Sequence, residues 1–395
     1  MHEAAVLLVA QQLATTRSGV GLYVRVLLTE LARRGRAPAF ATWTEEIDRG
    51  AFPDVEFLDL GARPVWDPTP GGFVALGRRL AGRLGNADAR RYALIHFADA
   101  REAYGYVQKA SVGARIPFVG TVHDDYAAVA PVSPLGLVGR AADPFVRWAY
   151  YRWLAGIEAR TYRAAARLMA NSDATGRVVA RRYGLDAGDL RTVHLCVAPV
   201  APHAIDGGSS SPMAGSPKLL FAGGNFYRKG LDTVVRALPE VRDSGTDVRL
   251  FVAGHDRAET RIRRLAARLG VSDRLTFLGR VDRGAMAVAF AAADVFVMPS
   301  RTEALGLVYL EAMRAGVPVV SGNVGGVIEI VRDGESGLTV PPEDAGALAA
   351  AILRVHRDPA LRRRLADGGR AVVAERTPER LADETLAVYA DALAG

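Results

Sequence analysis

The sequence predicts an α/β protein built from two doubly wound domains in tandem. Three observations support this fold class. Short apolar, β-rich segments alternate with longer amphipathic ones, a stretch without periodicity interrupts them near the middle of the 395-residue chain, and the alternation then restarts. Strands that alternate with helices form βαβ units, which give parallel sheets covered on both faces. The length suits two domains that each bury a core.

The first domain is predicted at residues 1–200. Its candidate strands are Ala4–Ala10, Ala37–Thr42, Leu94–Phe97, Phe118–His123 and Leu168–Ser172. Its candidate helices are Gly21–Arg34, Gly72–Leu84 and Ala141–Ala166. In such sheets ligands bind at the carboxyl ends of the strands.

Residues 197–217 are rich in Pro, Gly, Ser and Ala, and we place an interdomain linker at 201–217. The second domain is predicted at 218–377. Its candidate strands are Lys218–Ala222, Val248–Ala253, Leu275–Leu278, Val295–Met298, Pro318–Ser321 and Leu338–Val340. Its candidate helices are Leu231–Arg242, Ala258–Leu269, Arg283–Ala292 and Leu305–Ala315. The chain is helical from Ala345 onward, and a last helix at about 378–395 follows the break at Thr377-Pro378.

Composition narrows the class of protein. The sequence contains no run of 18 uncharged apolar residues, so no membrane-spanning helix is predicted. The short apolar run near the N-terminus lacks a basic leader and indicates a first strand rather than a signal peptide. Cys196 is the only cysteine, which excludes an internal disulfide and favours a cytoplasmic location.

The net charge of +7 allows a nucleic acid or an anionic membrane as partner. The basic residues are nearly all arginines spread along helices, so genome composition explains them better, and no nucleic-acid partner is predicted. The stretch Phe145–Trp153 mixes aromatics with arginines, as interfacial helices do. Peripheral membrane contact stays open, but a helix that packs its aromatic face on the first domain is favoured.

The strongest functional signal is a pair of glutamates eight positions apart, Glu303 and Glu311. The first follows a predicted strand, and the second lies about two turns into the next helix. The N–H groups of that helix start, from Leu305 to Val308, suit a diphosphate, and Gly306 leaves room for close approach. One carboxylate could then lie near a sugar and the other near a ribose. The alternative is a pair of exposed glutamates that help to start the helix.

A second signal is the loop after the strand Lys218–Ala222. It brings Arg228 and Lys229 to the start of a helix, where two cations can stabilise a departing diphosphate. In a chain that almost always uses arginine, a lysine here suggests a point charge. The alternative is a solvated helix start, although cations there oppose the helix dipole.

Five weaker candidates lie at or after the end of a predicted strand. They are the glycine turn Gly19-Val20-Gly21, His123, Gly254-His255, Arg280-Val281 and Gly325-Gly326. The glycine turn lacks the G-x-G-x-x-G spacing of a dinucleotide site, and a lone histidine is often an ordinary loop residue.

Several motifs are absent. The sequence has no D-x-D pair, no metal-binding Cys/His cluster, no G-x-x-x-x-G-K-[ST] loop and no G-x-S-x-G elbow. It therefore predicts no metal and no cofactor. The charge of a leaving group must fall to Arg228, Lys229 and the helix terminus.

The second half of the chain, most specifically residues 218–345, resembles the donor domain of family 4 retaining glycosyltransferases. These enzymes have the GT-B fold, in which two Rossmann-like domains face each other across a cleft. The E-x7-E motif of the family matches Glu303 and Glu311, and its Arg/Lys diphosphate pair matches Arg228 and Lys229. The resemblance covers nearly the whole chain but is looser before residue 218. The sequence departs from the family at Gly224, where many members have arginine.

The resemblance implies roles for the candidate residues. Arg228, Lys229, Glu303 and His123 would act at the sugar diphosphate, with His123 near the 6-position of the sugar, and Glu311 would hold the ribose. The first domain would bind the acceptor, and the last helix would pack back on it. The other implied substrate-binding positions are Gly19, Val20, Gly21, Gly224, Asn225, Gly254, His255, Arg280, Val281, Ala304, Leu305, Gly306, Leu307 and Val308.

The implied reaction is metal-independent transfer of a hexosyl group, of the glucose or N-acetylglucosamine type, from a UDP-sugar to an acceptor hydroxyl with retention. A small metabolite, a natural product or a glycan could be the acceptor, and the oligomeric state is open. One rival is an epimerase or phosphorylase of the same fold. Another is a non-catalytic binder of nucleotide sugars or nucleic acid.

Overall fold

A computed structural model describes residues 5–14, 19–36, 38–64, 73–84, 91–109, 116–124, 144–186, 188–198 and 217–394. These residues form two compact units. The first comprises the described residues through Asp124, those from Pro144 to Val197 and the segment from Arg376 onward. The second comprises those from Ala198 to Glu375.

Some predicted positions lie outside the described residues. They are the linker at 201–217 except Pro217, and the predicted element ends at Ala4, Ala37, Gly72 and Ala141.

The first unit contains a seven-stranded parallel sheet of order β3-β2-β1-β4-β5-β6-β7. The strands are β1 (Ala5–Val9), β2 (Ala39–Thr42), β3 (Phe57–Asp59), β4 (Tyr92–Phe97), β5 (Phe118–Val122), β6 (Arg167–Ala170) and β7 (Leu190–Thr192). The order reverses beside β1, which confirms a doubly wound sheet. The three-residue edge strands β3 and β7 were not predicted, because their sequences, FLD and LRT, lack the apolar–polar–apolar alternation of the equally short β13, LTV.

Five described helices lie between these strands. They are α1 (Gly19–Arg33), α2 (Phe73–Arg83), α3 (Ala103–Lys109), α4 (Pro144–Ala164) and α5 (Asp173–Tyr183). Neither α3 nor α5 was among the predicted helices. Within α4, Leu154 and Ile157 pack with Val74 and Tyr104, whereas Trp153 is 40% exposed. No described helix has the length and apolar composition needed to span a bilayer.

The second unit contains a six-stranded parallel sheet of order β10-β9-β8-β11-β12-β13. Its strands are β8 (Lys218–Ala222), β9 (Arg249–Ala253), β10 (Leu275–Gly279), β11 (Val295–Met298), β12 (Val319–Gly322) and β13 (Leu338–Val340). Its helices are α6 (Leu231–Asp243), α7 (Glu259–Arg268), α8 (Arg283–Ala292), α9 (Leu307–Arg314), α10 (Ala345–Arg357) and α11 (Pro359–Ala374). All six strands were predicted, and two doubly wound sheets in one chain confirm the fold class.

The last helix, α12 (Pro378–Ala394), packs on the sheet of the first unit and contacts α1 and β4 to β6. Tyr389 on α12 reaches the buried His96 of β4, and 2.7 Å separates Tyr389 Oη from His96 Nδ1. Thr121 Oγ1 lies 2.9 Å from the other ring nitrogen. Burial, followed by the charge of His123, lowers the pKa of His96 to about 3, so the ring is neutral.

We expect Tyr389→Phe to lower the free energy of unfolding by about 1–2 kcal/mol, because a buried nitrogen of His96 loses its partner. Denaturant titration measures the loss. Tyr104→Phe is the matched control, since the Tyr104 hydroxyl accepts from the exposed amide of Gln108 at 2.8 Å, and water can replace it. If the two variants lost the same free energy of unfolding, the hydrogen bond to His96 would stabilise the fold no more than the one to Gln108 does.

Candidate active site

Two loops meet at the carboxyl edge of the second sheet, beside the point where its strand order reverses. The first, which we call the β8 loop, covers residues 223–230, and the second, the β11 loop, covers residues 299–306. Together they carry Arg228, Lys229 and Glu303. This is the position at which open α/β sheets bind ligands.

The two loops touch through their backbones. Gly230 has φ of +76°, and a Cβ there would lie 2.2 Å from the carbonyl oxygen of Pro299. The N–H of Arg301 donates to the carbonyl of Arg228 over 2.8 Å. Only glycine permits this approach at residue 230, so the separation of the loops is fixed by the chain itself.

The β8 loop is also fixed from within. Asn225 adopts φ of +52°, and its side-chain oxygen accepts from the N–H of Arg228 over 3.2 Å. The N–H of Lys229 donates to the carbonyl of Asn225 over 3.0 Å. Asp256, which follows β9, accepts from the N–H of Phe226. Asparagine tolerates the left-handed region, which makes it suitable for this turn.

Glu303 is 7% exposed and lies against both cations of the β8 loop. Lys229 Nζ contacts one of its carboxylate oxygens, and Arg228 Nη1 lies 4.0 Å from the other. Burial raises the pKa of Glu303, but Lys229 and then Arg228 outweigh it, and the net pKa is lowered. Glu303 is therefore a carboxylate at neutral pH, buried but compensated by charge.

The helix α9 begins at Leu307, two residues later than the sequence predicted, because Gly306 has φ of +78° and is not helical. A Cβ at Gly306 would lie 2.6 Å from the ring of the buried Tyr309 and 3.2 Å from Cγ of Glu303. The first N–H groups of α9, at Leu307 and Val308, have no carbonyl of the preceding turn to bond within the helix. The side chains of Ala304 and Leu305 are buried, so these two residues can offer a ligand only backbone groups.

A further glycine supports Glu303 from the opposite side. Gly325, in the turn after β12, has φ of +54°, and a Cβ there would lie 1.9 Å from the carbonyl oxygen of Glu303. The N–H of Gly326 donates to the same oxygen over 3.3 Å. The sequence showed this glycine pair but gave it no role.

Glu311 lies on α9 and pairs with Arg283 at the start of α8, with 3.1 Å between Arg283 Nη2 and Glu311 Oε1. Burial raises the pKa of Glu311, against the opposing charges of Arg283 and then Arg314. Arg283 comes shortly after Arg280 and Val281, and the sequence did not single it out. The pair therefore joins α9 to the segment that follows β10.

The ends of β8 and β9 are also in contact. Gly254 has φ of +133°, and a Cβ there would lie 2.2 Å from the carbonyl oxygen of Gly223. A Cβ at Gly224 would lie 3.6 Å from the carbonyl oxygen of His255. These predicted positions thus belong to the same edge as Arg228 and Lys229.

The remaining candidates, Gly19, Val20, Gly21 and His123, belong to the first unit. The three residues of the glycine turn form the first turn of α1, and the preceding residues 15–18 lie outside the described ranges. Two buried carboxyl groups hold the segment that leaves β1: Glu102 accepts from the N–H of Gln11, and Glu46 accepts from the N–H of Leu13.

His123 directly follows β5. Its Nε2 lies 2.7 Å from the carbonyl oxygen of Ala98, which can only accept, so Nε2 carries the proton. Burial lowers the pKa of His123, although the charge of Asp99 opposes the shift. The amide of Asn171 donates to the carbonyl of His123 over 3.0 Å. The imidazole is neutral, and its unprotonated Nδ1 can accept a hydrogen bond.

Within the described ranges, no group of three or more His, Cys, Asp or Glu side chains is arranged to hold a metal ion. The chemistry that the second unit offers is a buried carboxylate, two cations and a helix N-terminus within one small region. Such a set can bind a phosphorylated ligand by charge and a polyol by hydrogen bonds.

Comparison with known families agrees with this chemistry. A model described as Glycosyltransferase Family 4 matches residues 17–199, and one described as Glycosyl transferases group 1 matches residues 209–372. The structure is similar to sucrose-phosphate synthase from Thermosynechococcus elongatus, with a TM-score of 0.77 and 24% identity over 99% of both chains. That likeness concerns the fold.

Several curated relatives are glycosyltransferases. A GDP-mannose-dependent monoacylated alpha-(1-6)-phosphatidylinositol monomannoside mannosyltransferase from Corynebacterium glutamicum is 40% identical over 37% of this chain and 39% of its own length. A D-inositol 3-phosphate glycosyltransferase from Streptomyces bingchenggensis is 35% identical over 59% and 54% of the two chains. An alpha-D-kanosaminyltransferase from Streptomyces kanamyceticus is 26% identical over 95% and 98%. The chain thus spans about half or less of the first two relatives and nearly all of the third.

The contact between Gly306 and Tyr309 gives a first prediction for this site. Gly306→Ala should lower the free energy of unfolding by more than about 2 kcal/mol, because it adds both positive-φ strain and a clash. Gly334→Ala is the matched control, since Gly334 has φ of +75° but no atom within 4 Å of its Cβ position, and it should cost only about 1 kcal/mol. Urea denaturation measures both. Equal costs would mean that the Tyr309 ring can move aside.

The ion pair gives a second prediction. The pKa of Glu303 lies below its ordinary value of 4.5, so the stabilisation by Lys229 is complete above that value and is lost as the pH falls through the lowered pKa. Lys229→Met should therefore lower stability most near neutral pH, and the difference from wild type should shrink below about pH 4.5. Melting temperatures measured from about pH 7 to about pH 3.5 test this.

Lys218→Met is the control for that experiment, because the structure pairs the Lys218 side chain with no carboxylate among the described residues. A Lys229→Met penalty that stays constant with pH would show that the pair with Glu303 does not control it.

Proposed function

Because the chain belongs to the glycosyltransferases of the family 4 type with the GT-B fold, we propose that it transfers a hexosyl group from a UDP-sugar to an acceptor hydroxyl. The group is of the glucose or N-acetylglucosamine kind, and transfer proceeds with retention and without a metal ion. The observation that carries this proposal is the placement of Arg228 and Lys229 against Glu303 at the start of α9.

The leaving diphosphate needs positive charge as the glycosidic bond breaks. Arg228 and Lys229 both contact Glu303, and their N–H groups donate to the side-chain and backbone oxygens of Asn225, which fixes their loop. The N–H groups of Leu307 and Val308 would add hydrogen bonds at the helix terminus. Charge that is already in place in a site closed to water lowers the barrier without reorganisation.

The two glutamates would bind hydroxyl groups at the two ends of the donor. Glu303 is ionised and buried, so it accepts hydrogen bonds and would orient the transferred sugar. Glu311, which is 27% exposed and paired with Arg283, would hold the ribose hydroxyls. In the first unit, neutral His123 can accept a hydrogen bond from a sugar hydroxyl through Nδ1.

The proposed chemistry is a displacement on one face of the sugar. The bond from the anomeric carbon to the diphosphate oxygen breaks with its electron pair, and the acceptor oxygen bonds to the same carbon from the same side. The acceptor proton passes to the departing diphosphate. No side chain is assigned as a covalent nucleophile, and the protein contributes orientation and electrostatic stabilisation.

The names of the relatives do not point to a single donor base or a single acceptor. One relative is named for GDP-mannose and a phosphatidylinositol monomannoside, and another for D-inositol 3-phosphate. GDP-linked donors are therefore the principal alternative to UDP. We propose a glycan or small-molecule acceptor, recognised by the first unit.

The test is a panel of UDP, GDP, ADP, NAD and several UDP- and GDP-sugars, each with EDTA. A UDP-sugar at about 100 times its Kd should raise the melting temperature by roughly 5 °C, because it binds only the folded state. Glu311→Gln should remove most of this shift. Glu335→Gln, at an exposed glutamate of the same unit, should leave it intact.

Each other result has a defined meaning. If only GDP-sugars raise the melting temperature, the base of the donor is guanine and not uracil. Conversion of the donor without an acceptor indicates an epimerase, and conversion that needs inorganic phosphate indicates a phosphorylase. A shift with NAD alone contradicts the proposed function.

A further inference from the structure

We propose that Arg301 is a positioning residue that holds Arg228 and Lys229 in place for the diphosphate of the donor. This inference rests on the proposed function. Arg301 lies in the β11 loop, two residues before Glu303, and its side chain is 6% exposed. It would not itself touch the donor. It would act by fixing the β8 loop on the same support that carries Glu303.

The first evidence is a pair of contacts to the backbone of the β8 loop. The N–H of Arg301 donates to the carbonyl of Arg228 over 2.8 Å, and the guanidinium Nη1 donates to the carbonyl of Tyr227. These carbonyls belong to the peptide units on either side of the Arg228 Cα. Arg301 therefore helps to fix the direction in which the side chains of Arg228 and Lys229 extend from the backbone.

The second evidence is that the guanidinium is itself held rigidly. Nη1 and Nη2 bond the two carboxylate oxygens of Asp232 over 2.8 and 2.9 Å. Nε and Nη2 bond Glu343 Oε1 over 2.9 and 2.8 Å. With the bond to the Tyr227 carbonyl, all five N–H donors of the guanidinium are used.

The third evidence is stacking. The guanidinium carbon of Arg301 lies 4.0 Å from the ring centroid of Tyr227, the residue next to Arg228. A planar cation can stack and donate in its own plane at the same time, whereas an ammonium group cannot. The site therefore requires arginine specifically. Lysine would keep the charge but lose the stacking and the forked set of guanidinium hydrogen bonds, which we call the fork.

These contacts tie three parts of the second unit to one side chain: the β8 loop, the start of α6 at Asp232, and the loop before α10 at Glu343. Loss of the guanidinium bonds would loosen the β8 loop at Tyr227 while leaving the buried face of α6 intact, although the bonds of the loop to Asn225 and to the N–H of Arg301 would remain. Lys229 and Arg228 would then sample positions away from Glu303. Recognition of phosphate should suffer, but recognition of the nucleoside should not.

The experiment compares UDP with uridine by calorimetry and ligand-observed NMR on wild type and Arg301→Lys. We expect about tenfold weaker binding of UDP and unchanged binding of uridine. Arg274→Lys is the matched control. Arg274 belongs to the same unit, is 18% exposed and bonds Asp247 at 2.8 Å, but it lies at the amino edge of the sheet, and its variant should bind both ligands as wild type does.

A second comparison tests whether Arg301 acts through the cations. In a Lys229→Met background, Arg301→Lys should weaken UDP binding by no more than about twofold, because the ammonium group of Lys229, which Arg301 positions, is already absent. Full additivity would overturn the positioning role. So would an equal loss of UDP and uridine binding, since that is the signature of a general structural defect.

If wild type binds UDP and Arg301→Lys binds it equally well, the positioning role is wrong and the proposed function stands. If wild type binds neither UDP nor GDP, the proposed function fails, and this inference fails with it. If Arg301→Lys does not fold, Asp232→Asn replaces it. That variant removes one anchor of the fork and should weaken UDP, but not uridine, by a smaller factor.

Discussion

The second unit is organised around one buried carboxylate, that of Glu303. Burial of Glu303 costs several kcal/mol unless opposite charge and hydrogen bonds compensate for it. Lys229 and Arg228 supply the charge, and this requirement fixes the position of the loop that carries them. The glycines nearby follow from the same requirement, because Gly230, Gly306 and Gly325 each allow a backbone approach that a Cβ would block. In the proposed function, the phosphates of the donor would replace the carboxylate as partners of these cations.

The first unit is organised differently. Its sheet carries buried polar groups whose partners come from distant parts of the chain, as when His96 bonds Thr121 and Tyr389. His123 is held in one tautomer by a backbone carbonyl and is neutral, so it can recognise a hydroxyl without competing for a proton. The second unit thus offers charge, and the first offers neutral hydrogen-bonding groups.

The sequence predicted the fold because alternation of strand and helix is a local property. It also predicted the adjacency of Arg228, Lys229 and Glu303 to strand ends, since parallel strands place their carboxyl ends along one edge. It missed Arg301 and Arg283 because their roles depend on partners such as Asp232 and Glu311, 69 and 28 positions away. No local pattern marks an arginine whose five donors are all satisfied. The short strands β3 and β7 were missed because their residues do not alternate between apolar and polar, as those of the equally short β13 do.

The position of α12 has a consequence for the order in which the chain folds during synthesis. The second unit is continuous in the described sequence between Pro217 and Glu375, so all of its elements have been synthesised before α12. The first unit needs Tyr389, which at 5–20 residues per second is made roughly 10–40 s after Val197. Until then the surface that α12 covers, including one nitrogen of His96, has no partner from its own chain. The half of the molecule that is translated first is therefore the half that is completed last.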